Sequence, residues 1–543
     1  MASVGTTIFG ECTTVGKQRY FKSSIQMEPL VGRWYAWSHL IAPVPAALNI
    51  RRRHLPIMES YIAEPSVHAE AVADPDLLGG PFLDYDGQRA DDVAELLRWT
   101  QARCERQISL AQSVASLNEM LLKGGRGGSL EPLYAEVPPA LRGLVELVYD
   151  TNHHPSVRYF EPLLYRSDLY DESLQGLAFS VTKSDARKFV LSTPRLDDEY
   201  TIFADVSFRS PLIDRLFEMR TGAGDYDNVA ELFKDGAARD RALREYFTDE
   251  TPRRSTPYVG AAVRIRYFGH ACVLLEANGI SILVDPVVSY DYPTDLPRYT
   301  YLDLPDSIDY VLLTHNHQDH VMLETLLQIR HRVGKIVVPS CGSGVLQDPS
   351  LRLMLNAIGF ARVETIDMLQ DIPIPGGSIL AIPFLGEHSD LKIDSKTAYV
   401  VTLEGHRVLL GADSRNLEPS VYERLAPQLG QIDTIFIGME CDGAPLSWLY
   451  GPLLTQPLSR DNDSARTLSG SDASMVSHLL GLFRPERVFV YAMGQEPWLN
   501  HVMCLRYTEA SQPIVESNKI LKKCEAAGIR AERLFGSREI VLS

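Results

Sequence analysis

Thr314-His315-Asn316-His317-Gln318-Asp319-His320 is the segment that decides how this chain folds, because it places three imidazoles and one carboxylate within six residues. It directly follows an apolar run that predicts a buried strand, so the cluster lies where a strand ends and a loop begins. Residues two apart in an extended backbone point the same way, and His315 and His317 can therefore bind one metal ion together. Asp319 and His320 fall at the turn into a helical pattern and can reach a second ion. The segment predicts a two-metal site, in preference to a polar loop with surface histidines.

The spacing His-x-His-x-Asp-His resembles the signature of the metallo-β-lactamase superfamily. The resemblance extends to Gly411-Ala412-Asp413-Ser414, which is similar to the motif whose Asp bridges both metals, since the two oxygens of a carboxylate can each bind one cation. It also extends to a Gly-His turn at His270 and to a strand-end Asp-Pro at Asp285, which frame the site in that superfamily. Both residues are candidates for the edge of the site, although a structural hydrogen bond explains Asp285 equally well.

The third ligand of the first metal is a choice between two neighbours, Glu387 and His388. Most members of the superfamily place a His at this point. Adjacent residues on an extended backbone point in opposite directions, so we do not expect both side chains on one ion. A His would give an imidazole-rich site suited to zinc and hydrolysis, whereas a Glu would give a carboxylate-richer site that suits iron and oxygen chemistry.

With its Gly-Glu-His segment and a large N-terminal region, the chain is similar to the diiron β-hydroxylases of antibiotic biosynthesis, of which the chloramphenicol pathway has one. The likeness covers the whole chain in length and layout, while its specific motifs lie only between about residues 265 and 445. The resemblance implies a cofactor of two iron ions that uses O₂ and an external electron donor. It implies six metal ligands, with Asp413 shared by both ions: His315, His317, Asp319, His320, Glu387 and Asp413.

The same resemblance implies the reaction. Members of the family hydroxylate the β-carbon of an amino acid tethered through phosphopantetheine to a nonribosomal peptide synthetase carrier domain, and 4-amino-L-phenylalanyl is the group in the chloramphenicol case. Glu440 resembles an acid that lines the site in this family, so we expect a catalytic role for it rather than that of an ordinary loop carboxylate. Hydrolases of the superfamily add a late imidazole, for which His478 and His501 are the candidates. Its absence would leave a coordination position open for O₂.

The second half of the chain alternates strand-like and helical patterns, which predicts two sheets covered by helices. This is the αββα sandwich that the superfamily resemblance implies, preceded by a large mixed α/β N-terminal domain. We place the boundary in the polar, proline-containing segment 248–257, with domains at 1–255 and 256–543. Spacing predicts one long helix from about Asp91 to Leu121. Ten apolar runs are expected strands: 263–268, 272–276, 280–284, 310–313, 335–338, 378–384, 398–403, 408–410, 432–438 and 488–491.

Composition narrows the class of protein. The chain has 543 residues and a formal net charge of −17, which argues against general nucleic-acid binding. The run Arg51 to His54 is interpreted as a solvated surface. Seven scattered cysteines without a Cys-x-x-Cys pair indicate reduced thiols, and no signal peptide or membrane helix is visible, so we expect a cytoplasmic protein. The N-terminal domain is expected to serve substrate access, carrier docking or dimerisation, and a homodimer is expected.

Two other functions compete with the hydroxylase. A binuclear zinc hydrolase of the thioesterase, lactonase or phosphodiesterase type would use the same histidine cluster and Asp413 to generate a hydroxide nucleophile, but it gives no reason for Glu387. A scaffold that keeps a metal site for stability alone is disfavoured by the intact ligand set. Metal analysis separates iron from zinc and so separates the first two functions.

Overall fold

The N-terminal half combines small sheets with helices. The computed structural model describes residues 18–124, 127–233 and 236–543. Cys12 and part of the glycine-rich stretch after Lys123 therefore lie outside the described residues. The strands are β1 (Gln18–Phe21), β2 (Ile25–Val31), β3 (Trp34–Tyr35), β4 (Val145–Tyr149), β5 (Pro155–Tyr159), β6 (Gln175–Val181), β7 (Ile202–Ala204), β8 (Gly224–Asp225) and β9 (Phe247–Thr248). The helices are α1 (Ser38–Ile41), α2 (Pro43–Asn49), α3 (Leu55–Ala63), α4 (Pro65–Ala73), α5 (Ala90–Arg103), α6 (Glu105–Gly124), α7 (Glu161–Leu164), α8 (Pro211–Glu218) and α9 (Gly236–Glu245). The strands pair in the orders β3-β2-β6-β7, β8-β1-β9 and β4-β5.

The C-terminal half is built from longer strands in two sheets. The strands are β10 (Val263–Gly269), β11 (Cys272–Ala277), β12 (Ile280–Val284), β13 (Ile308–Leu312), β14 (Val333–Pro339), β15 (Val363–Ile366), β16 (Asp371–Ile374), β17 (Gly377–Ile382), β18 (Ala398–Leu403), β19 (His406–Leu410), β20 (Thr434–Gly438), β21 (Arg487–Tyr491), β22 (Arg530–Arg533) and β23 (Arg538–Leu542). The helices are α10 (Leu323–Ile329), α11 (Leu351–Ala357), α12 (Ser420–Leu429), α13 (Leu446–Tyr450), α14 (Arg460–Ala465), α15 (Ala473–Phe483), α16 (Asn500–Met503) and α17 (Gln512–Ala526).

The two sheets form the expected αββα sandwich. Their strand orders are β15-β14-β13-β12-β11-β10-β23 and β16-β17-β18-β19-β20-β21-β22. Val273, Leu312, Val401 and Phe436 belong to the apolar core that the two sheets share. Helices α12, α15 and α17 cover the outer face of the second sheet. The outer face of the first sheet packs against α10, α11 and the N-terminal half in one continuous core. The fold class is confirmed.

The expected long helix is interrupted once. Cys104 leaves the helical conformation, with φ −104° and ψ 25°, and separates α5 from α6. Its side chain is buried, and the two helices pack against different partners, α5 against α3 and α6 against α2. A straight helix cannot follow both partners, so the chain turns at this residue. Spacing alone does not reveal such a turn, because apolar residues continue at helical intervals across it.

A buried ionic network joins the two halves. Arg187 Nη2 lies 2.6 Å from both Glu28 Oε1 and Glu324 Oε2, and Arg195 Nε lies 2.5 Å from Glu28 Oε2. The hydroxyl of Tyr290 donates to Glu324 Oε1 at 2.7 Å. Burial alone would raise the pKa of Glu28, but the two guanidinium groups hold that pKa well below its usual range. The network lies between β2 and α10, so it links the N-terminal sheet to the helix that follows the histidine cluster. The exact division of the chain at residue 255 stays a prediction.

Arg187→Met should destabilise the protein by about 3–5 kcal/mol, because it leaves two buried carboxylates without one of their cations. The midpoint of urea unfolding measures this. Arg106→Ala is the matched control, since Arg106 and its partner Asp168 are exposed and such a pair contributes at most about 1 kcal/mol. The contribution of the Glu28 ion pairs to stability is present above the ordinary carboxylate pKa and is lost as the pH falls. The difference in unfolding free energy between Arg187→Met and wild type should therefore narrow in acid. Equal losses of stability in Arg187→Met and Arg106→Ala would contradict this explanation.

Candidate metal centre

The candidate ligands lie at the ends of strands from both sheets, on one edge of the sandwich. The histidine cluster follows β13, and Asp285 follows β12, the parallel neighbour of β13. In the second sheet, Asp413 follows β19, and Glu440 follows β20, which is again a parallel neighbour. Because the carboxyl ends of parallel strands meet at the same edge of a sheet, residues distant in sequence are brought together there. The topology therefore assembles the site that the sequence predicted in separate pieces.

The first group of donor atoms belongs to His315, His317, Glu387 and His388, which all lie within 4.8 Å of one another. His317 Nδ1 is 2.8 Å from Glu387 Oε1, and His315 Nε2 is 3.7 Å from Glu387 Oε2. Each of these residues is almost fully buried. Three imidazoles and one carboxylate thus converge on a volume small enough for a single ion.

The second group is offset from the first and shares His315 with it. His315, His320 and Asp413 offer atoms within 4.8 Å, and so do His270, Asp319 and His320. Asp413 Oδ2 lies 2.9 Å from His320 Nε2 and 3.8 Å from His315 Nε2, which places it between the two groups. This is the position that a bridging carboxylate would need.

Several donor atoms at this site have no hydrogen-bond partner. His315 Nε2, Glu387 Oε2, His388 Nε2 and Asp413 Oδ1 are buried and unpaired. Leaving one buried polar group unsatisfied costs about 1–3 kcal/mol, and a charged group costs more. Four such atoms from four candidate ligands in one cluster fit a site for cations. Imidazole nitrogens and carboxylate oxygens together are donors that suit iron or zinc.

Asp285 sets the orientation of two of the imidazoles. The hydroxyl of Thr314 donates to Asp285 Oδ2 at 2.6 Å, so it can only accept from His315 Nδ1, which is 3.0 Å away. His320 Nδ1 lies 2.7 Å from the same carboxylate oxygen. Both rings therefore carry their proton on Nδ1 and present the lone pair of Nε2 to the site. The hydrogen bonds of Asp285 thus serve the site directly.

His270 is arranged differently from His315 and His320. Its Nδ1 accepts the backbone N–H of Gly494 at 3.2 Å, so the neutral ring carries its proton on Nε2. That Nε2 lies 2.8 Å from Asp319 Oδ2 and can donate to it. Binding a metal through Nε2 would require loss of this proton. His270 is therefore placed to hold Asp319 in position rather than to act as a ligand itself.

The backbone around Glu387 is not extended, which differs from the sequence expectation. Gly386, Glu387, Ser389 and Asp390 all have positive φ, at 72°, 66°, 53° and 60°. As a result the side chains of Glu387 and His388 do not point in opposite directions, and His388 Nδ1 lies 3.0 Å from Glu387 Oε2. The alternation argument fails here because it holds only for strand geometry, and both side chains reach the same group.

The remaining sequence candidates are placed as follows. Burial and then the carboxylates of Asp413, Asp319 and Glu387 raise the pKa of Glu440 well above its usual range, so this acid belongs to the same electrostatic site. His478 Nε2 lies 3.1 Å from Glu423 on α12, and buried His501 packs edge-on against Tyr35. Neither histidine belongs to a metal-type group within the described residues.

Comparison with known proteins identifies the type of enzyme. A model of the N-terminal domain of diiron non-heme β-hydroxylases matches residues 20–252, and a β-lactamase superfamily domain model matches residues 264–438. The chain is 40% identical over 529 residues to the 4-amino-L-phenylalanyl-[CmlP-peptidyl-carrier-protein] 3-hydroxylase of Streptomyces venezuelae, which covers 96% of this chain and 99% of that protein. The chain belongs to the diiron β-hydroxylase family. It is therefore an enzyme, and this family uses two iron ions.

Two further comparisons place this β-hydroxylase. The crystal structure of CmlA, a diiron β-hydroxylase from Streptomyces venezuelae, matches with a TM-score of 0.91 and 39% identity, over 97% of this chain and 100% of that one. A UPF0173 metal-dependent hydrolase of Flavobacterium johnsoniae is 27% identical over 146 residues, which are 25% of this chain and 63% of that protein. Similarity to the hydroxylase thus spans both halves of the chain, whereas similarity to this hydrolase covers only a quarter of it.

Sequence reasoning missed one residue of the β-hydroxylase site, Tyr450. Its hydroxyl lies 2.9 Å from His317 Nε2, opposite the nitrogen that faces Glu387. The hydroxyl can accept a hydrogen bond from the Nε2–H of His317 and so orient the imidazole ring. Tyr450 ends the apolar helix α13, where nothing in the sequence distinguishes it from a core aromatic.

Gly438→Ala should remove iron from the β-hydroxylase. A Cβ at this position would lie 2.8 Å from Asp413 Oδ1 and 2.7 Å from the carbonyl oxygen of Ala412, so the carboxylate between the two groups must move. Iron analysis of the purified variant measures the loss. Gly481→Ala on α15 is the control, because a Cβ there meets nothing within 4 Å. Full iron content in Gly438→Ala would show that Asp413 does not need its observed position.

Proposed function

We propose that the enzyme β-hydroxylates an aminoacyl group, 4-amino-L-phenylalanyl or a close analogue, tethered to a nonribosomal peptide synthetase carrier domain in antibiotic biosynthesis. The observation that carries the proposal is the similarity along nearly the whole chain to a hydroxylase that acts on such a carrier-bound residue. The donor set is consistent with it, because a carboxylate occupies the position next to His317 where a zinc hydrolase would place an imidazole.

The proposed ligands are the six from the sequence. His315, His317 and Glu387 would hold one iron, Asp319 and His320 the other, and Asp413 would bridge them. Support comes from the unpaired atoms of His315, Glu387 and Asp413 and from the position of Asp413 between the groups. His388 would lie beside Glu387 rather than replace it as a ligand. The two iron ions would bind and activate O₂ with electrons from an external donor, which is chemistry that the side chains cannot supply.

The protein's own contribution is orientation, proton control and exclusion of water. Asp285 and Tyr450 hold the ligand rings, and His270 holds Asp319. Glu440 would line the site as a protonated acid that supplies a proton to the reacting groups. Bound cations would offset the repulsion from the nearby carboxylates, but burial still favours the neutral form of Glu440.

The direct test is to load the protein with ferrous iron without oxygen, add an aminoacylated carrier domain and a reductant, and then admit O₂. We expect two irons per chain and a gain of one oxygen atom on the thioester-bound residue, detected by mass spectrometry. Zinc-loaded protein is the control and should give no such gain. Hydrolysis of the thioester by zinc-loaded protein, without oxygen insertion by iron-loaded protein, would establish the hydrolase function instead.

Variants at two acids and one imidazole, Glu387, Glu440 and His388, distinguish metal ligands from other residues of the site. Glu387→Gln should lose iron, whereas His388→Gln should keep it, because only the first removes a ligand. Glu387→His should lower hydroxylation severely, since it removes the negative charge that favours oxidised iron. Glu440→Gln should keep its iron and lose oxygen insertion, because the amide is nearly isosteric but cannot release a proton.

Iron analysis and single-turnover oxygen insertion read these variants independently. Full hydroxylation by Glu387→His would contradict the ligand assignment, and loss of iron from His388→Gln with retention in Glu387→Gln would exchange the roles of the two neighbours. Full oxygen insertion by Glu440→Gln would leave that residue as an ordinary loop carboxylate.

Partners follow from the reaction. A carrier domain must deliver the substrate, and an electron-transfer protein must reduce the iron. We also propose a homodimer. Two apolar side chains on neighbouring helices support it, Trp99 on α5 and Leu122 on α6, which are 42% and 63% exposed. Sedimentation of a Leu122→Asp variant as a monomer would test the proposal. No helix in the described residues combines the length and apolar character needed to cross a membrane, and their six cysteines are free.

A further inference from the structure

A groove of about 730 Å³ runs between the two halves of the chain. One wall comes from α3 and the turn around Gly79, and the opposite wall comes from α13 and the residues that follow it. Its surface is largely apolar, with Phe189 and Trp448 stacked at 6.0 Å between ring centroids. The indole N–H of Trp448 donates to the carbonyl of Gly79 at 2.9 Å, which ties the two walls together.

Two arginines line this groove without a carboxylate partner. Residues 50–54 form a π-helical turn between α2 and α3, a distortion that often occurs at functional sites, and it directs Arg52 and Arg53 towards the groove. Neither guanidinium forms an ion pair anywhere in 18–124, 127–233 or 236–543. Arg53 Nη1 is buried and has no hydrogen-bond partner, and burial lowers the pKa of Arg53 to about 10. The sequence interpretation of the run Arg51 to His54 as a solvated surface holds for exposed Arg51, holds only in part for the half-buried Arg52 and Arg53, and is wrong for buried His54.

A purely structural role accounts for only part of this arrangement. Arg53 Nη2 donates to the carbonyl of Trp448 at 2.7 Å, and Arg52 Nη1 donates to those of Pro452 and Leu454 at 3.0 and 2.8 Å. Such bonds satisfy free carbonyls at the end of α13, where cations are favoured. They leave two adjacent positive charges unneutralised and one nitrogen unpaired. A groove with this lining is complementary to an anion attached to an apolar chain.

The groove lies beside the metal centre. Ser447 and Trp448 of α13 line it, and Tyr450 of the same short helix contacts His317. A molecule in the groove is therefore separated from the ligand His317 by about the width of one helix, roughly 10 Å.

We propose that this groove binds the phosphopantetheine arm of the carrier-bound substrate, with Arg52 and Arg53 contacting its phosphate and the apolar walls contacting its chain. This inference rests on the proposed function, which requires such an arm. It also explains how a chain with a net charge of −17 attracts an anionic group, since the positive charge is local.

Binding can be measured on the iron-loaded enzyme without oxygen by isothermal titration calorimetry, using phosphopantetheine, pantetheine without the phosphate, and inorganic phosphate. Phosphopantetheine should bind at least about tenfold more tightly than either of the other two. Arg53→Gln should abolish this preference, because it removes the positive charge that faces the phosphate. Arg51→Gln is the matched control, because Arg51 lies in the same turn but does not line the groove, and it should behave as wild type.

Each result decides the proposal. Equal binding of phosphopantetheine and pantetheine, or an unchanged preference in Arg53→Gln, would overturn it. Inorganic phosphate as tight as phosphopantetheine would show that the walls contribute nothing and would also overturn it. If Arg53→Gln loses its iron or its fold, Arg52→Gln replaces it in the same comparison.

Failure of the groove and failure of the reaction are distinguishable. Oxygen insertion into a carrier-bound aminoacyl group with no phosphate preference leaves the proposed function intact and removes only the groove. Absence of oxygen insertion with every aminoacyl carrier removes the proposed function, whereas binding, which needs no turnover, reports on the groove by itself.

Discussion

Buried negative charge at one edge of the sandwich is the constraint on which the rest of this structure depends. Asp285, Asp319, Glu387 and Asp413 are all nearly inaccessible to water and lie around five imidazoles. Burial away from water favours the neutral form of a carboxylate unless cations lie close to it. Imidazoles meet part of that need: burial alone would lower the pKa of His320, but the surrounding carboxylates raise it well above its usual range. His315 contributes no such charge, since burial and the neighbouring imidazoles hold its pKa well below its usual range. The two iron ions that the family uses would complete the balance, and the unpaired donor atoms are the candidates to bind them.

The N-terminal half is part of that solution rather than an appendage. Its residues share one apolar core with the outer face of the first sheet, and its Arg187 pairs with Glu324 on the helix that follows the histidine cluster. A carboxylate on α10 thus depends on a cation from the other half of the chain. This coupling ties the position of the cluster to the integrity of both halves.

The sequence predicted the interior of the fold better than its edges. All ten apolar runs became the central strands of the two sheets, β10 to β14 and β17 to β21. The four strands that were missed, β15, β16, β22 and β23, are the edge strands of those sheets. An edge strand is partly exposed and needs no continuous apolar run, as β22, with no buried residue, illustrates. Apolar content is therefore a signal of central strands, and pairing at an edge leaves little trace in composition.

The candidate site shows a similar division. Spacing was sufficient to predict that His315, His317 and His320 lie close together, because strand and turn geometry relate neighbours in sequence to neighbours in space. It was insufficient for Glu387 and His388, where positive φ angles defeat the alternation rule, and for Tyr450, which reaches His317 from a helix 133 residues away. Local pattern predicts a ligand, but the groups that orient it come from tertiary packing, which a pattern does not contain.

Depth also constrains the shape of the substrate. His315 and His320 have no exposed surface and Glu387 only 6%, so a folded carrier domain cannot bring its own surface to the metals. Only a narrow chain can pass between packed helices, and an extended arm with the reactive group at its end has that shape. Exclusion of water and delivery on an arm are thus two consequences of one feature, since burial that protects the reacting centre also rejects any bulky donor. The groove between α3 and α13 is the proposed place for the part of that arm farthest from its reactive end, because Tyr450 of α13 contacts His317 on the other side of the helix.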